Sequence, residues 1–295
     1  MSTLRELKSR IGSVASTQKT TSAMKMISSA KMHKFTYQLQ RLLPYRNMVQ
    51  EVMGHLLVTD AQFTSPLIES RSISSVAIVV FGSDDGLCGA FNINIFKHLL
   101  SVINKTRDKH GNGVKVVVLP IGKKIAKACA KLDVANVSVE REHGVNTRSS
   151  QEQLADFAQV LSSRFLDGEF DCVEMVYMHY VSTSRQVLSH ERLLPVSYEQ
   201  LAAGAKVDNA AAPCIFEPDA NTIFNSILPL HIRSVMQEVF TESLASEQAS
   251  RVIAMQTASD NAKELLEDLN LEYNKLRQQS ITTELLDILG GQVER

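Results

Sequence analysis

Stepping from Leu4 in threes and fours meets Leu7, Ile11, Val14, Gln18, Thr21, Lys25, Ser28, Met32, Phe35, Leu39, Leu42, Arg46, Val49, Met53 and Leu56. Eleven of these sixteen positions are apolar. That is a heptad seam, not a strand alternation, and it predicts one long helix. Pro44 is expected to kink the helix without ending it, because the seam resumes at Val49. At 1.5 Å per residue, about 55 residues would span roughly 80 Å, more than the diameter of a small domain. The far end of the chain reads the same way. From about Thr222 to Leu289 there is one proline, Pro229, and no glycine before Gly290 and Gly291, where the helix is expected to stop. Its apolar stripe is read through Ile227, Leu230, Val239, Ile253, Leu265, Leu269, Leu276, Leu285 and Ile288. Ser243, Ala245, Ser246, Ala249 and Ser250 are small, which invites close approach by a neighbouring helix. Two such helices bury their stripes most simply as an antiparallel coiled coil.

The seam is not apolar throughout. Gln18, Thr21, Lys25 and Ser28 occupy consecutive seam positions, and Ser280, Thr282 and Thr283 interrupt the other stripe. A coil with that composition is poorly self-sufficient at those levels, so further surroundings are expected there.

Between the ends the period changes. Ser75–Phe81 and Val114–Pro120 read as buried strands, followed by helices over Phe91–Lys109 and Lys123–Leu132. A short strand is expected near Ala135–Glu140, a helix over Gln151–Leu166, and strands over Phe170–Val181 and Arg185–Leu194, the last two as a hairpin. Residues 198–214 read as a mobile connection. The predicted class is α/β: long N- and C-terminal helices in an antiparallel coiled coil, with a central Rossmann-like α/β domain of mainly parallel strands. The boundaries are drawn at 1–58 for the first coiled-coil helix, 72–195 for the α/β domain, 196–218 for the connecting loop and 219–295 for the last helix.

Charge sharpens this picture. The 295 residues carry a net charge of only -1. Residues 1–50 nevertheless hold nine bases and one acid, and residues 236–295 hold eleven acids and five bases. Opposite ends of opposite sign are suited to lie together, although exposed pairs are individually weak, at about 0–1 kcal/mol. Cys88, Cys129, Cys172 and Cys214 stand alone with no CxxC pair, which predicts reduced thiols and no metal site. No apolar run approaches the ~18 residues of a membrane span, and no secretory h-region opens the chain.

Candidate chemistry is thin. Gly82-Ser-Asp-Asp-Gly-Leu-Cys-Gly89 follows the first strand, where a dinucleotide fold places its glycines. The spacing is GxxxGxxG, however, and Asp84 and Asp85 would oppose a pyrophosphate, so a structural turn is the expectation. Walker, HExxH and GxSxG motifs are missing from the sequence. His143, His179 and His190, with Glu142 and Glu191 nearby, carry no ligand spacing. The basic first helix has little aromatic interleaving, which argues against nucleic acid.

The terminal motifs resemble those of the gamma subunit of F-type ATP synthases. The matching runs are Arg10–Lys19 and Ala23–Lys31 at the start, then Glu242–Glu247, Ala249–Arg251, Ala254-Met255, Asn261-Ala262, Tyr273–Lys275, Arg277-Gln278 and Ile281–Gly291 at the end. Ser83-Asp84, Gly86–Gly89, Asn92, Leu194-Pro195 and Glu217-Pro218 match in the middle, so the resemblance spans the chain. Departures are Asp85 where Arg is usual, Thr20 for Ile, Gln248 for His, and Gln292 for a small residue. The regulatory cysteine insertion of chloroplast members and a transit segment are not seen, so a bacterial type is expected.

The resemblance implies a central-stalk rotor, not an enzyme by itself. It implies a shaft inside a ring of alpha and beta subunits, a base bound to epsilon and the c-ring, and proton-driven rotation passed to the catalytic beta subunits. It also implies a peripheral place on the cytoplasmic face of the bacterial inner membrane, with no cofactor, no metal and no nucleic acid. It assigns partner contacts to Met24 and Lys25 on the first helix, and to Arg277, Gln278, Thr282, Glu284 and Asp287 on the last. Two readings of other kinds stay open at this point: a coiled-coil nucleic-acid-binding protein, and a Rossmann-type nucleotide-binding enzyme using Gly82–Gly89.

Overall fold

A computed structural model of the chain describes residues 3–57, 63–132, 134–141, 144–202 and 216–293. Cys214, Glu142, His143 and most of the connection after the hairpin lie outside the described residues. The chain divides into two compact units, one made of residues 1–29 with 251–295 and the other of residues 30–250.

The first helix, α1, spans Leu4–Leu57 as one element with Pro44 inside it. It opens with a reciprocal cap: the Thr3 N–H donates to Glu6 Oε2 at 2.9 Å and the Glu6 N–H to Thr3 Oγ1 at 3.3 Å. All sixteen seam positions read from the sequence are buried or half-buried along it. In the smaller unit the end of α6 (Ala220–Val293) supplies the other stripe, through Met255, Ser259, Ala262, Leu266, Leu269, Tyr273, Leu276 and Ser280. These positions alternate by four and three, the coiled-coil period. This corrects the sequence reading in part. Leu269 and Leu276 are in place, but Ile253, Leu265, Leu285 and Ile288 are exposed, as is Leu230 in the larger unit. The expected stripe followed the largest aliphatic side chains, whereas the actual seam passes through small ones, Ser259 and Ala262. The helix also continues through Gly290 and Gly291 to Val293. Glycine weakens a helix by about 1 kcal/mol but keeps its N–H, so it need not stop one.

In the larger unit the strands are β1 (Ser75–Phe81), β2 (Lys115–Ile121), β3 (Val137–Val139), β4 (Cys172–Ser182) and β5 (Arg185–Leu194). They form one sheet in the order β3-β2-β1-β4-β5, parallel except for the antiparallel β4–β5 hairpin. The helices between them are α2 (Phe91–His110), α3 (Lys123–Cys129) and α4 (Gln151–Leu166). A short α5 (Tyr198–Ala202) occupies the start of what the sequence suggested was irregular connection.

The buried strands sort their side chains by the two-residue period. Val76, Ile78 and Val80 join Val116 and Val118 under α2 and α3. Ala77, Val79 and Phe81 face the other way, with Leu119, Ile121, Val173 and Met175, against α4 and the long helices. Phe81 meets Phe240 of α6 edge-on, 6.4 Å between ring centres. Residues 236–249 of α6 are all buried, including the small side chains Ser243, Ala245, Ser246 and Ala249. In this unit α1 and α6 run antiparallel: Arg46 pairs with Glu238, while further on Asn225 donates to the Thr64 carbonyl at 3.2 Å.

Candidate functional site

The glycine loop after β1 is built as a turn. The Gly82 N–H extends the sheet to the Ile121 carbonyl at 2.8 Å. The Ser83 N–H donates to Asn92 Oδ1 at 3.1 Å, Asn92 Nδ2 donates to Ser83 Oγ at 2.7 Å, and that hydroxyl donates to the Asp85 carbonyl at 2.7 Å. Asp84 accepts the Lys123 N–H at the start of α3, at 3.0 Å, and also the Thr147 hydroxyl. Two glycines let the loops touch. A Cβ on Gly82 would lie 2.5 Å from Ile125, and one on Gly122 (φ +118) would lie 2.9 Å from the Gly82 carbonyl. Ser83 and Asn92 are therefore bonded to one another inside the loop, and Asp84 sets a carboxylate in it. This geometry favours the structural turn over the nucleotide-binding reading.

The residues assigned to partner contact fall in the smaller unit. Met24 and Lys25 are half-buried on α1. Arg277, Gln278, Thr282 and Glu284 are exposed on α6, and the Thr282 hydroxyl donates to the Gln278 carbonyl at 2.8 Å, which turns it along its own helix. The side chain of Asp287 lies outside the described residues. Arg277, Ile281 and Glu284 follow one another at four and three residues on one face, with Ile281 exposed among them. Among the described residues no ion pair holds Lys25, Arg277 or Glu284. A free guanidinium and a free carboxylate one helical turn from an exposed isoleucine suit a protein surface, and they lack the convergent geometry of a catalytic site.

The other chemistry is structural. Cys88, Cys129 and Cys172 are buried free thiols, and burial pushes Cys129 and Cys172 up to about 12, which disfavours the reactive thiolate. Among the described residues no cluster of His, Cys, Asp and Glu could hold a metal ion. His190 pairs with Glu174 at 2.9 Å, not with its sequence neighbour Glu191. Sequence reasoning missed a polar cavity in the larger unit, where Arg46, Glu238, Glu242 and His179 meet. Its one visible signal was Arg46, the single charge in the second half of the seam.

The chain matches the ATP synthase family model over residues 3–293. It is 41% identical over 293 residues to the ATP synthase gamma chain of Phocaeicola vulgatus, covering 99% of each chain. It is 33% identical over 289 residues to that of Methylobacillus flagellatus, covering 97% of each. The chain belongs to the ATP synthase gamma-chain family. A gamma chain is the central-stalk rotor of the synthase, and so one part of an enzyme complex, in its peripheral F1 sector. Accordingly, among the described residues no helix is long and apolar enough to cross a membrane. In fold, the gamma chain is similar to chains of two mitochondrial ATP synthases. One is from the central stalk and c-ring of Tetrahymena thermophila, with a TM-score of 0.56 at 24% identity, covering 81% of this chain and 99% of that one. The other is from Euglena gracilis, with a TM-score of 0.64 at 20% identity, covering 98% and 93%.

Proposed function

We propose that this gamma chain has no catalytic centre of its own and works by contact, as the shaft through which rotation of the membrane c-ring reaches the catalytic beta subunits. Its partners are the alpha and beta subunits of the ring, the epsilon subunit and the c-ring, with proton flow as the drive. Its place is the cytoplasmic face of the bacterial inner membrane, held peripherally through those partners. The observation that carries this reading is the seam of the smaller unit. Gln18, Thr21, Lys25 and Ser280 lie half-buried in positions where an isolated coil would hold aliphatic side chains. A shaft that must turn within a sleeve cannot interlock with it through a dry, close-packed interface, because packed cores resist continuous deformation. Polar contacts can be exchanged from one angle to the next.

Met24 and Lys25 on α1, and Arg277, Gln278, Thr282, Glu284 and Asp287 on α6, are the contacts proposed to distinguish one rotary angle from another. Arg277 offers a planar fork that lysine does not reproduce. In reconstituted complexes of checked stoichiometry, Arg277→Lys and Glu284→Ala should therefore slow steady-state ATP hydrolysis and synthesis while assembly is retained. Wild-type rates in both directions would mean that these residues only solvate the shaft.

A further inference from the structure

The larger unit contains a cavity of about 590 Å³ that neither the seam nor the partner contacts account for. Four elements converge on it. From α1, Arg46 pairs with Glu238 of α6. From β4, His179 Nδ1 stands 2.7 Å from Glu242 Oε2 of α6, and the Tyr177 hydroxyl donates to Glu191 Oε1 of β5 at 2.7 Å. Arg192 of β5 and His231 of α6 complete the ionisable lining. Three carboxylates thus face two guanidinium groups; Glu191 is exposed, whereas Glu238 and Glu242 are almost wholly buried. Water can solvate Glu191 and Arg46 meets Glu238, so Glu242 is the carboxylate that a positive charge or a proton must balance, since an unpaired buried charge is strongly unfavourable. The geometry leaves one place for it, the short His179–Glu242 contact.

We propose that this pair holds a single proton that latches the β4–β5 hairpin onto α6, and that losing the proton loosens the hairpin. The latch is a pH-sensitive element inside the rotor, and it stands independently of the partner contacts proposed above.

Two of the neighbouring groups do not compete for this role, and the rise that burial imposes on the third, Glu238, is opposed by Arg46 beside it. Burial, with Arg46 beside it, lowers His231 to about 4, so that ring is neutral. Burial and the Glu191 hydrogen bond hold the Tyr177 phenol well above its usual range. Glu242 is raised to about 7, chiefly by burial, with Glu238 and Glu191 acting in the same direction against the pull of His179. The closed latch therefore binds a proton more tightly than an open, solvated Glu242 does. Its contribution is fully present below the ordinary carboxyl value of 4.5, declines above it, and is lost as pH rises through about 7.

The test is hydrogen exchange by mass spectrometry on the assembled complex at pH 6 and pH 8.5, corrected for intrinsic exchange rates. Peptides covering β4 and β5 are read against β1 and β2 as the internal reference. A closed-state value near 7 makes the hairpin open about tenfold more at the higher pH. Glu242→Gln, a neutral isostere, should reduce that step below twofold. His179→Lys supplies a fixed positive charge and should do the same, which keeps the test decisive if the first variant fails to assemble. A wild-type hairpin with no pH step overturns the latch, as does either assembled variant that retains the full step.

Discussion

Arg46→Met tests the structural charge of the α1 seam. Arg46 lies in the α1 seam, and its guanidinium meets Glu238 of α6, whose side chain is only 10% exposed while that of Arg46 is 34% exposed. Removing one member of a buried pair strands the other, at a cost of about 3–5 kcal/mol. Water reaches the arginine side of this pair, so the expected loss is lower, about 2–3 kcal/mol. The double variant Arg46→Met, Glu238→Leu removes the stranded charge and should return to within about 1 kcal/mol of the parent. The pH dependence follows from Glu238. Burial raises its carboxyl above the usual range, and the attraction and hydrogen bond of Arg46 oppose that rise. Without Arg46 the carboxyl moves further up and takes a proton more readily. A raised folded-state value contributes stability at low pH that is lost as pH rises through it. The deficit of Arg46→Met should therefore be smaller at pH 5 than at pH 8. Urea unfolding of the purified chain at both values, with exchange of β4 and β5 amides to isolate the larger unit, measures it. A loss below about 1 kcal/mol at pH 8, equal losses at both pH values, or a double variant worse than either single one would refute the reasoning.

Two further perturbations test the fold and the shaft. Asp171 Oδ2 accepts the Ser74 N–H, the Ser74 hydroxyl and the Ser75 N–H at 2.7–2.9 Å. Burial would raise this carboxyl, but those donors and Arg71 together lower it, so its stabilisation is present above the ordinary value of 3.8 and lost as pH falls below it. Asp171→Ala should cost about 2–4 kcal/mol at neutral pH in urea unfolding, with the gap narrowing below about pH 4. Met24→Lys adds a cation beside the half-buried Lys25 and should favour one rotary angle over the others, lowering proton pumping per ATP hydrolysed with assembly intact. Unchanged pumping efficiency in membrane vesicles would remove this pair from the mechanism.

What was legible in the sequence was whatever follows a period. The α1 seam was readable position by position because a three-four repeat sustained over sixteen sites has few other solutions. The α4 helix runs over the expected Gln151–Leu166, and Ser150 and Gln153 form a capping box at its start. The hairpin strand Arg185–Leu194 was bounded by its turn and by Pro195. The α6 stripe was misread where small residues took over the contact, because hydrophobicity alone ranks Leu265 above Ala262 although helix approach prefers the smaller side chain. The ion pairs of the cavity join residues 63 and 192 positions apart, and no local pattern encodes such meetings. The contacts proposed at Arg277 and Glu284 came from resemblance. Exposed, unpaired side chains on a helix leave no physical signature of their partner in the chain that carries them.

Direct observation of rotation tests the central claim. The catalytic ring of the assembled complex is anchored to a surface, and a gold bead is attached through a cysteine introduced at Lys109, an exposed position near the end of α2. With ATP supplied, the account predicts that the bead turns in one direction and pauses at regular angles, once for each beta subunit the shaft engages. ATP hydrolysis at a normal rate by complexes whose bead shows only undirected fluctuation would contradict it.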